Sequence, residues 1–85
     1  MRKFSTVKKG STGTDVVVMQ TLLHTMQFTG KNGKLLDING TCDDNTVFAI
    51  NSFQTQQRAY GYECGTKGKN DGEFGDKCWK RFINM

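Results

Sequence analysis

Four carboxylates, Glu63, Asp71, Glu73 and Asp76, lie close together in the second half of the chain. Paired carboxyl groups about 5 to 9.5 Å apart can hydrolyse a glycosidic bond, one as acid and one as nucleophile or base. Here they sit around glycine-rich loops in a chain with little mass for a deep cleft. No histidine–nucleophile arrangement accompanies them either, so no enzyme is expected. Cys42, Cys64, Cys78 and His24 make up the right number of ligands for zinc. Their spacing matches no familiar zinc pattern and contains no CxxC, so neither a metal nor another cofactor is expected. An odd number of cysteines allows one disulfide with a free thiol, or three reduced thiols.

A third group suits binding rather than reaction. Tyr60 and Tyr62 bracket Gly61 in a Gly- and Lys-rich loop, where the helical apolar pattern has ended. A tyrosine ring offers an apolar face to a sugar while its hydroxyl stays hydrated. Arg58, Lys67 and Lys69 bring positive charge for carboxylates. Asn39 and Asp71 can receive ligand hydroxyls, although such residues more often bond their own turn backbone. The candidate ligand-binding set is therefore Tyr60, Tyr62, Arg58, Asn39 and Asp71. For Tyr62 the alternative is that its ring folds back to close the bottom of the core.

These residues need elements to position them. After the turn-forming "GSTGT", Val16, Met19, Leu22 or Leu23, and Met26 recur at helical steps. Thr14 or Asp15 is the expected cap. The three consecutive valines are poor helix formers, so tertiary packing must hold that turn. His24 falls on the side away from Met19 and Met26 and reads as exposed and inert. Residues 29–42 read as loop, with a short extended piece at Leu35, Leu36 and Ile38. A second helix follows "DD", capped by Asp43 or Asp44, with Val47, Ile50 and Phe53 on its apolar face and Phe48 a further candidate. A second long loop leads to a short third helix that begins near Gly75 or Asp76 and carries Cys78, Trp79 and Phe82. No substantial sheet is expected.

With 85 residues, one domain spanning 1–85 is the natural reading, its core small but rich in aromatics: six Phe, two Tyr and one Trp. The net charge of +4 comes from scattered Lys and Arg, with no run dense enough to demand nucleic acid. There is no apolar run near membrane-spanning length and no signal peptide, so no membrane span is expected. Action outside the cell would then require a larger parent chain or another export route.

The turn at "DGEFGDKCWKRF" (71–82) has an echo. Set over it, "NGTCDDNTVFAI" (39–50) places Asn39-Gly40 over Asp71-Gly72, Cys42 over Phe74, Asp43 over Gly75, Thr46 over Cys78 and Ile50 over Phe82. In both, a dipeptide suited to positive φ is followed by an apolar anchor, and a small or acidic residue then opens a helix. "VVVMQ" (16–20) and "INSFQ" (50–54) add a second echo. Each Gln follows an apolar position, and the amides of Gln20 and Gln54 read as ties to a neighbouring loop's backbone. Trp79, Phe74, Phe53 and Phe82 read as core.

These motifs resemble the peptidoglycan-binding domain found on many bacterial and phage cell-wall hydrolases. That family shows a "GSxGxxVxxLQ" start, a first "DGxFGxxTxxAVxxFQ" and a later "DGxxGxxTW". The corresponding stretches are "GSTGTDVVVMQ" (10–20), "NGTCDDNTVFAINSFQ" (39–54) and "DGEFGDKCW" (71–79). The similarity spans about residues 7–83. Departures are Met19 for Leu, Cys42 and Asp43 where Phe and Gly are usual, Cys78 for Thr, and a longer second loop.

The resemblance implies an all-α fold: a small three-helix bundle with two long Gly-rich loops and two repeated turn-helix units. It implies a monomeric, non-catalytic module that binds peptidoglycan, at the cell wall or outside the cell, and targets an attached or partner hydrolase. The competing expectations are a three-helix DNA-binding domain, with Lys77, Lys80 and Arg81 as phosphate contacts, and a protein-interaction adapter of the same fold. Nucleic acid is not the expected partner, because the third helix is short and its Trp79 and Phe82 belong to the core.

Overall fold

The polypeptide folds into three helices, α1 (Thr14–Thr25), α2 (Asp44–Ala59) and α3 (Asp76–Trp79), in a computed structural model that describes residues 4–82. The ends of the expected domain, 1–3 and 83–85, lie outside the described residues. Among the described residues β structure is limited to isolated bridges, so the protein is all-α. Its radius of gyration is 11.6 Å, close to the roughly 12 Å of a fully packed chain of this length.

The second helix begins as its sequence dictates. Asp43 is the N-cap, its carboxylate accepting from the Thr46 amide at 3.0 Å and from the Thr46 hydroxyl at 3.1 Å. Such a cap satisfies an orphan amide and adds about 1 kcal/mol. The third helix likewise starts after Gly75.

The first helix starts differently from expectation. Its N-cap is Gly13, at φ 113, with no side-chain cap. Asp15 instead turns its buried carboxylate to the chain before the helix, accepting from the Ser5 amide at 2.8 Å. Tethering the N-terminal arm takes precedence over capping.

One core joins the elements. Trp79, Phe53, Phe74, Met19, Leu23, Leu36 and Ile50 are its largest fully buried apolar side chains. Phe53 lies at the centre of an aromatic group, with ring centroids 5.9 Å from Phe28, 5.4 Å from Phe74 and 5.2 Å from Phe82. Of the alternatives Leu22 and Leu23, Leu23 is fully buried and Leu22 packs against the core's edge.

Two expected core positions are corrected. Met26 is 39 % exposed, because α1 ends at Thr25 and the chain turns through Gln27 at φ 67. Phe48 is 43 % exposed, because Thr46, Ala49, Ile50 and Phe53 set the buried stripe of α2. His24 is not inert: half-buried, its Nδ1 lies 2.7 Å from the Leu36 carbonyl. That bond holds the loop segment in which Leu36 is buried while Leu35 and Ile38 face out.

The N-terminal arm stitches both turns to the bundle. Val7 and Phe74 exchange backbone bonds of 3.0 and 2.8 Å. The Gly10 amide donates to Cys42 and the Cys42 amide to Ser11, both at 2.9 Å. Trp79 Nε1 donates to the Ser5 carbonyl at 2.9 Å, and its ring stacks on Phe4 at 4.4 Å.

Candidate functional site

Two buried amides fix the loops on which the candidate residues lie. Gln20 lies on α1 next to Met19, fully buried. Its Oε1 accepts from the amides of Asn39 (3.0 Å) and Gly40 (2.9 Å). Its Nε2 donates to Asn39 Oδ1, the Thr41 carbonyl and Thr46 Oγ1 at 3.0 to 3.1 Å. Gln54 lies on α2 next to Phe53, also fully buried. Its Oε1 accepts from the Asp71 amide at 3.1 Å, while its Nε2 donates to Asp71 Oδ1 (2.8 Å), the Glu73 carbonyl (2.9 Å) and the Cys64 carbonyl (3.2 Å).

Glycine is required at both turns. Gly40 has φ 78 and Gly72 φ 70, and a Cβ on either would come within 3.3 Å of a methyl group, of Val17 or of Val47.

This bonding reaches two of the five candidate ligand residues. Besides its bonds with Gln20, Asn39 accepts from the Thr41 amide at 3.1 Å. Asp71 accepts from Gln54, from Thr66 Oγ1 at 2.7 Å and from the Glu73 amide at 3.0 Å. Burial works against the Asp71 carboxylate, but these hydrogen bonds together outweigh it and hold its pKa below the ordinary value. Both side chains organise their own turns.

The other three gather where α2 ends. Tyr60 is the C-cap residue and is 65 % exposed; Tyr62 is 46 % exposed. The chain reverses there through Gly61 at φ 93, with the Tyr62 amide donating to Gln57 at 2.9 Å. Tyr62 does not close the core. Its ring carries the Arg81 guanidinium, 3.4 Å from the centroid, and Arg81 Nε donates to Gln57 Oε1 at 3.0 Å. Such a stacked cation stabilises by about 0.5 to 1 kcal/mol at exposed sites.

Arg58 reaches across the same loop, donating from Nη2 to Asn70 Oδ1 at 3.1 Å and to Glu63 Oε1 at 3.4 Å. Its Nε is buried with no hydrogen-bond partner among the described residues. Asn70 in turn donates to Thr55 at 2.8 Å. The Gly65 amide, 2.9 Å from Glu63 Oε1, holds the Glu63 pKa low against burial, and Arg58 adds to it. The sequence offers Arg81 only as a phosphate contact and gives no signal for its pairing with Tyr62, nor for Gln57 or Asn70, since each partnership depends on where the folded loop returns.

The result is a set of groups around the end of α2: one open aromatic ring, one ring under a guanidinium, and a second guanidinium braced by an amide and a carboxylate. Chemically it can stack on a flat apolar surface and donate to an anionic group. The carboxylates Asp71, Glu73 and Asp76 border a separate open depression of about 300 Å³ with Thr6, Cys64 and Lys77. Asp71 and Glu63 are both held in the ionised direction, opposite to what a general acid needs. Among the described residues no group of three or more His, Cys, Asp or Glu is arranged to hold a metal ion. No described helix is long and apolar enough to cross a membrane.

Comparison with family models, curated proteins and solved structures returned no match.

Proposed function

We propose that this chain is a non-catalytic peptidoglycan-binding module that holds an attached or partner hydrolase against the cell wall. The observation that carries the reading is the ordered set of three motifs, with Gln20 and Gln54 each tying down one of the turns. On this reading the two turn-helix segments are one device used twice. Gln20 works with Asn39, Thr41 and Thr46, and Gln54 with Asp71, Glu73 and Cys78. The long Gly-rich loops between the helices then carry the variable, ligand-facing surface.

The binding face we favour is Tyr60, Tyr62 and Arg58, joined by Arg81. Tyr60 would stack on a sugar ring, and the guanidinium groups would meet wall carboxylates. Asp71 and Asn39 keep their own turns in shape, the Asn39 turn standing by the start of α2. The module would act as a monomer at the wall or outside the cell. Its benefit to a tethered hydrolase is effective concentration rather than chemistry. The DNA-binding reading is weaker, because a helix as short as Asp76–Trp79, with Cys78 and Trp79 buried, offers little to a major groove.

The test is co-sedimentation of the pure chain with purified sacculi of several wall chemotypes, alongside turbidity of the same suspension. We expect the chain in the pellet and no clearing. Absence from every pellet, or clearing of the suspension, rejects the proposal.

A further inference from the structure

We infer that Cys64 and Cys78 are a redox pair that closes into a reversible disulfide, locking the loop after α2 onto the last turn and leaving Cys42 reduced. The geometry is reciprocal. Cys78 Sγ lies 3.4 Å from the Cys64 carbonyl, and Cys64 Sγ lies 3.7 Å from the carbonyl of Lys77, the residue bonded to Cys78. Each sulfur thus rests against backbone that belongs to or adjoins the other cysteine, which makes the two side chains neighbours. Cys42 belongs to a different neighbourhood, beside Ser11 and Asp43.

Access is asymmetric. Cys78 is fully buried, whereas Cys64 keeps 5 % exposure and borders the open depression shared with Thr6, Thr66 and Lys77. A small disulfide of the oxidised-glutathione class can therefore meet Cys64 first. The Cys64 thiolate attacks one sulfur of the oxidant and expels one glutathione thiolate. The Cys78 thiolate then attacks the Cys64 sulfur of the mixed disulfide and expels the second. One S–S bond forms in the protein and one breaks in the oxidant. Two electrons pass to glutathione, and the two thiol protons end on its released thiolates. Burial pushes the Cys64 thiol up and the Cys78 thiol up to about 12, so exchange is slow near neutrality and faster in alkali.

The bridge would close residues 65–77 into a loop. A loop of that size constrains the unfolded chain enough to raise the melting temperature by about 15 °C. It would also rigidify the segment that Arg58 braces through Glu63 and Asn70.

The experiment refolds the whole chain from denaturant in mixtures of reduced and oxidised glutathione, so that burial does not limit the outcome. One portion of the products is melted directly; the other is alkylated under denaturing conditions, weighed and digested with trypsin. Cleavage after Arg58, Lys67, Lys77 and Lys80 separates the cysteines. The expected product is peptide 59–67 joined to peptide 78–80, with a single alkyl label on Cys42 and a melting temperature about 15 °C above the reduced form. Cys42→Ser should keep this behaviour, and Cys64→Ser or Cys78→Ser should abolish it. Three labels at every mixture, a bridge to Cys42, glutathione adducts alone, or a bridged form that melts lower would each overturn the inference.

Discussion

Replacing Gln54 with leucine removes one amide of similar volume and tests whether that amide holds the second turn. Gln54 is fully buried. It accepts from the Asp71 amide and donates to the Asp71 carboxylate and to the carbonyls of Glu73 and Cys64. A neutral bond of this kind contributes about 1 kcal/mol net, and one to a carboxylate about 1.5 to 3 kcal/mol. Some of the stranded groups retain partners: Asp71 Oδ1 keeps the Glu73 amide, and the Cys64 carbonyl keeps the Cys78 thiol. The net loss for Gln54→Leu is then about 3 to 5 kcal/mol. At about 0.05 to 0.15 kcal/mol per residue, an 85-residue chain has roughly 4 to 13 kcal/mol in all. The substitution should therefore lower the urea midpoint sharply and the melting temperature by roughly 15 to 25 °C.

The same variant has a pH signature. In the folded protein the Asp71 pKa is lowered, its hydrogen bonds outweighing burial. A lowered folded pKa means stability that is fully present above the unfolded aspartate value, about 3.9, and lost as pH falls through the folded value. Removing the Gln54 donor lets the folded pKa rise. The gap between parent and variant should thus be largest near neutral pH and shrink below about pH 4. A loss under about 1 kcal/mol at pH 7 would refute the reasoning that the amide carries the turn. A gap that stays constant into acid would refute the charge-assisted part of it.

Phe53→Ala should cost about 3 to 5 kcal/mol, because the ring is fully buried among Phe28, Phe74 and Phe82; thermal melting checks it, and a melting temperature within a few degrees of the parent would contradict the packing. Tyr60→Ala should reduce retention on sacculi several-fold while the melt stays nearly unchanged, since its ring is open to solvent. Tyr62→Ala should lower retention and shift the melt by only a few degrees, through loss of the Arg81 stack. Unchanged retention for both, or losses only in step with stability, would move the ligand site elsewhere.

What was legible in the sequence was what the helix period and turn chemistry dictate. Asp43 precedes an apolar run and became the cap; Val47, Ile50 and Phe53 fall on one side, two of them fully buried and Val47 at the core's edge. Gln20 and Gln54, each beside an apolar position, proved to be the loop ties their placement suggests. What was not legible depends on contacts made across long stretches of chain. Nothing near Asp15 announces that it will hold Ser5 rather than cap α1, and nothing near His24 points to Leu36. Met26 continues the helical period by one step, but the chain turns first. Asn39 and Asp71 show the ambiguity at its plainest. A side chain that can receive a ligand hydroxyl can equally receive its own turn's amide, and only the folded loop shows that each is engaged there.

The departures from the resembled pattern at Cys42, Asp43 and Cys78 fall in the two turn-helix units and have different physical consequences. On the proposed repeat, Cys78 stands where Thr46 stands in the other unit. Thr46 Oγ1 accepts from Gln20 at 3.0 Å and donates its own hydrogen bond to Asp43 at 3.1 Å. Cys78 Sγ lies 3.8 Å from Gln54, a long contact to a larger and weaker acceptor, and nothing equivalent to Asp43 stands at Gly75. A hydroxyl in that position completes a local network, whereas a thiol leaves one loosely bound. The Gln54 amide is satisfied elsewhere, by the carbonyls of Cys64 and Glu73 and the Asp71 carboxylate, so the turn tolerates the change. The sulfur also lies 3.8 Å from the Glu73 carbonyl and, nearest, 3.4 Å from the Cys64 carbonyl, and Cys64 lies in the loop that is longer than the resembled pattern. The extra loop and the exchanged residue therefore meet at one point. On the proposed reading, that convergence makes the second turn, rather than the first, the place where this chain can differ from the peptidoglycan-binding pattern in stability and in the setting of the proposed binding face.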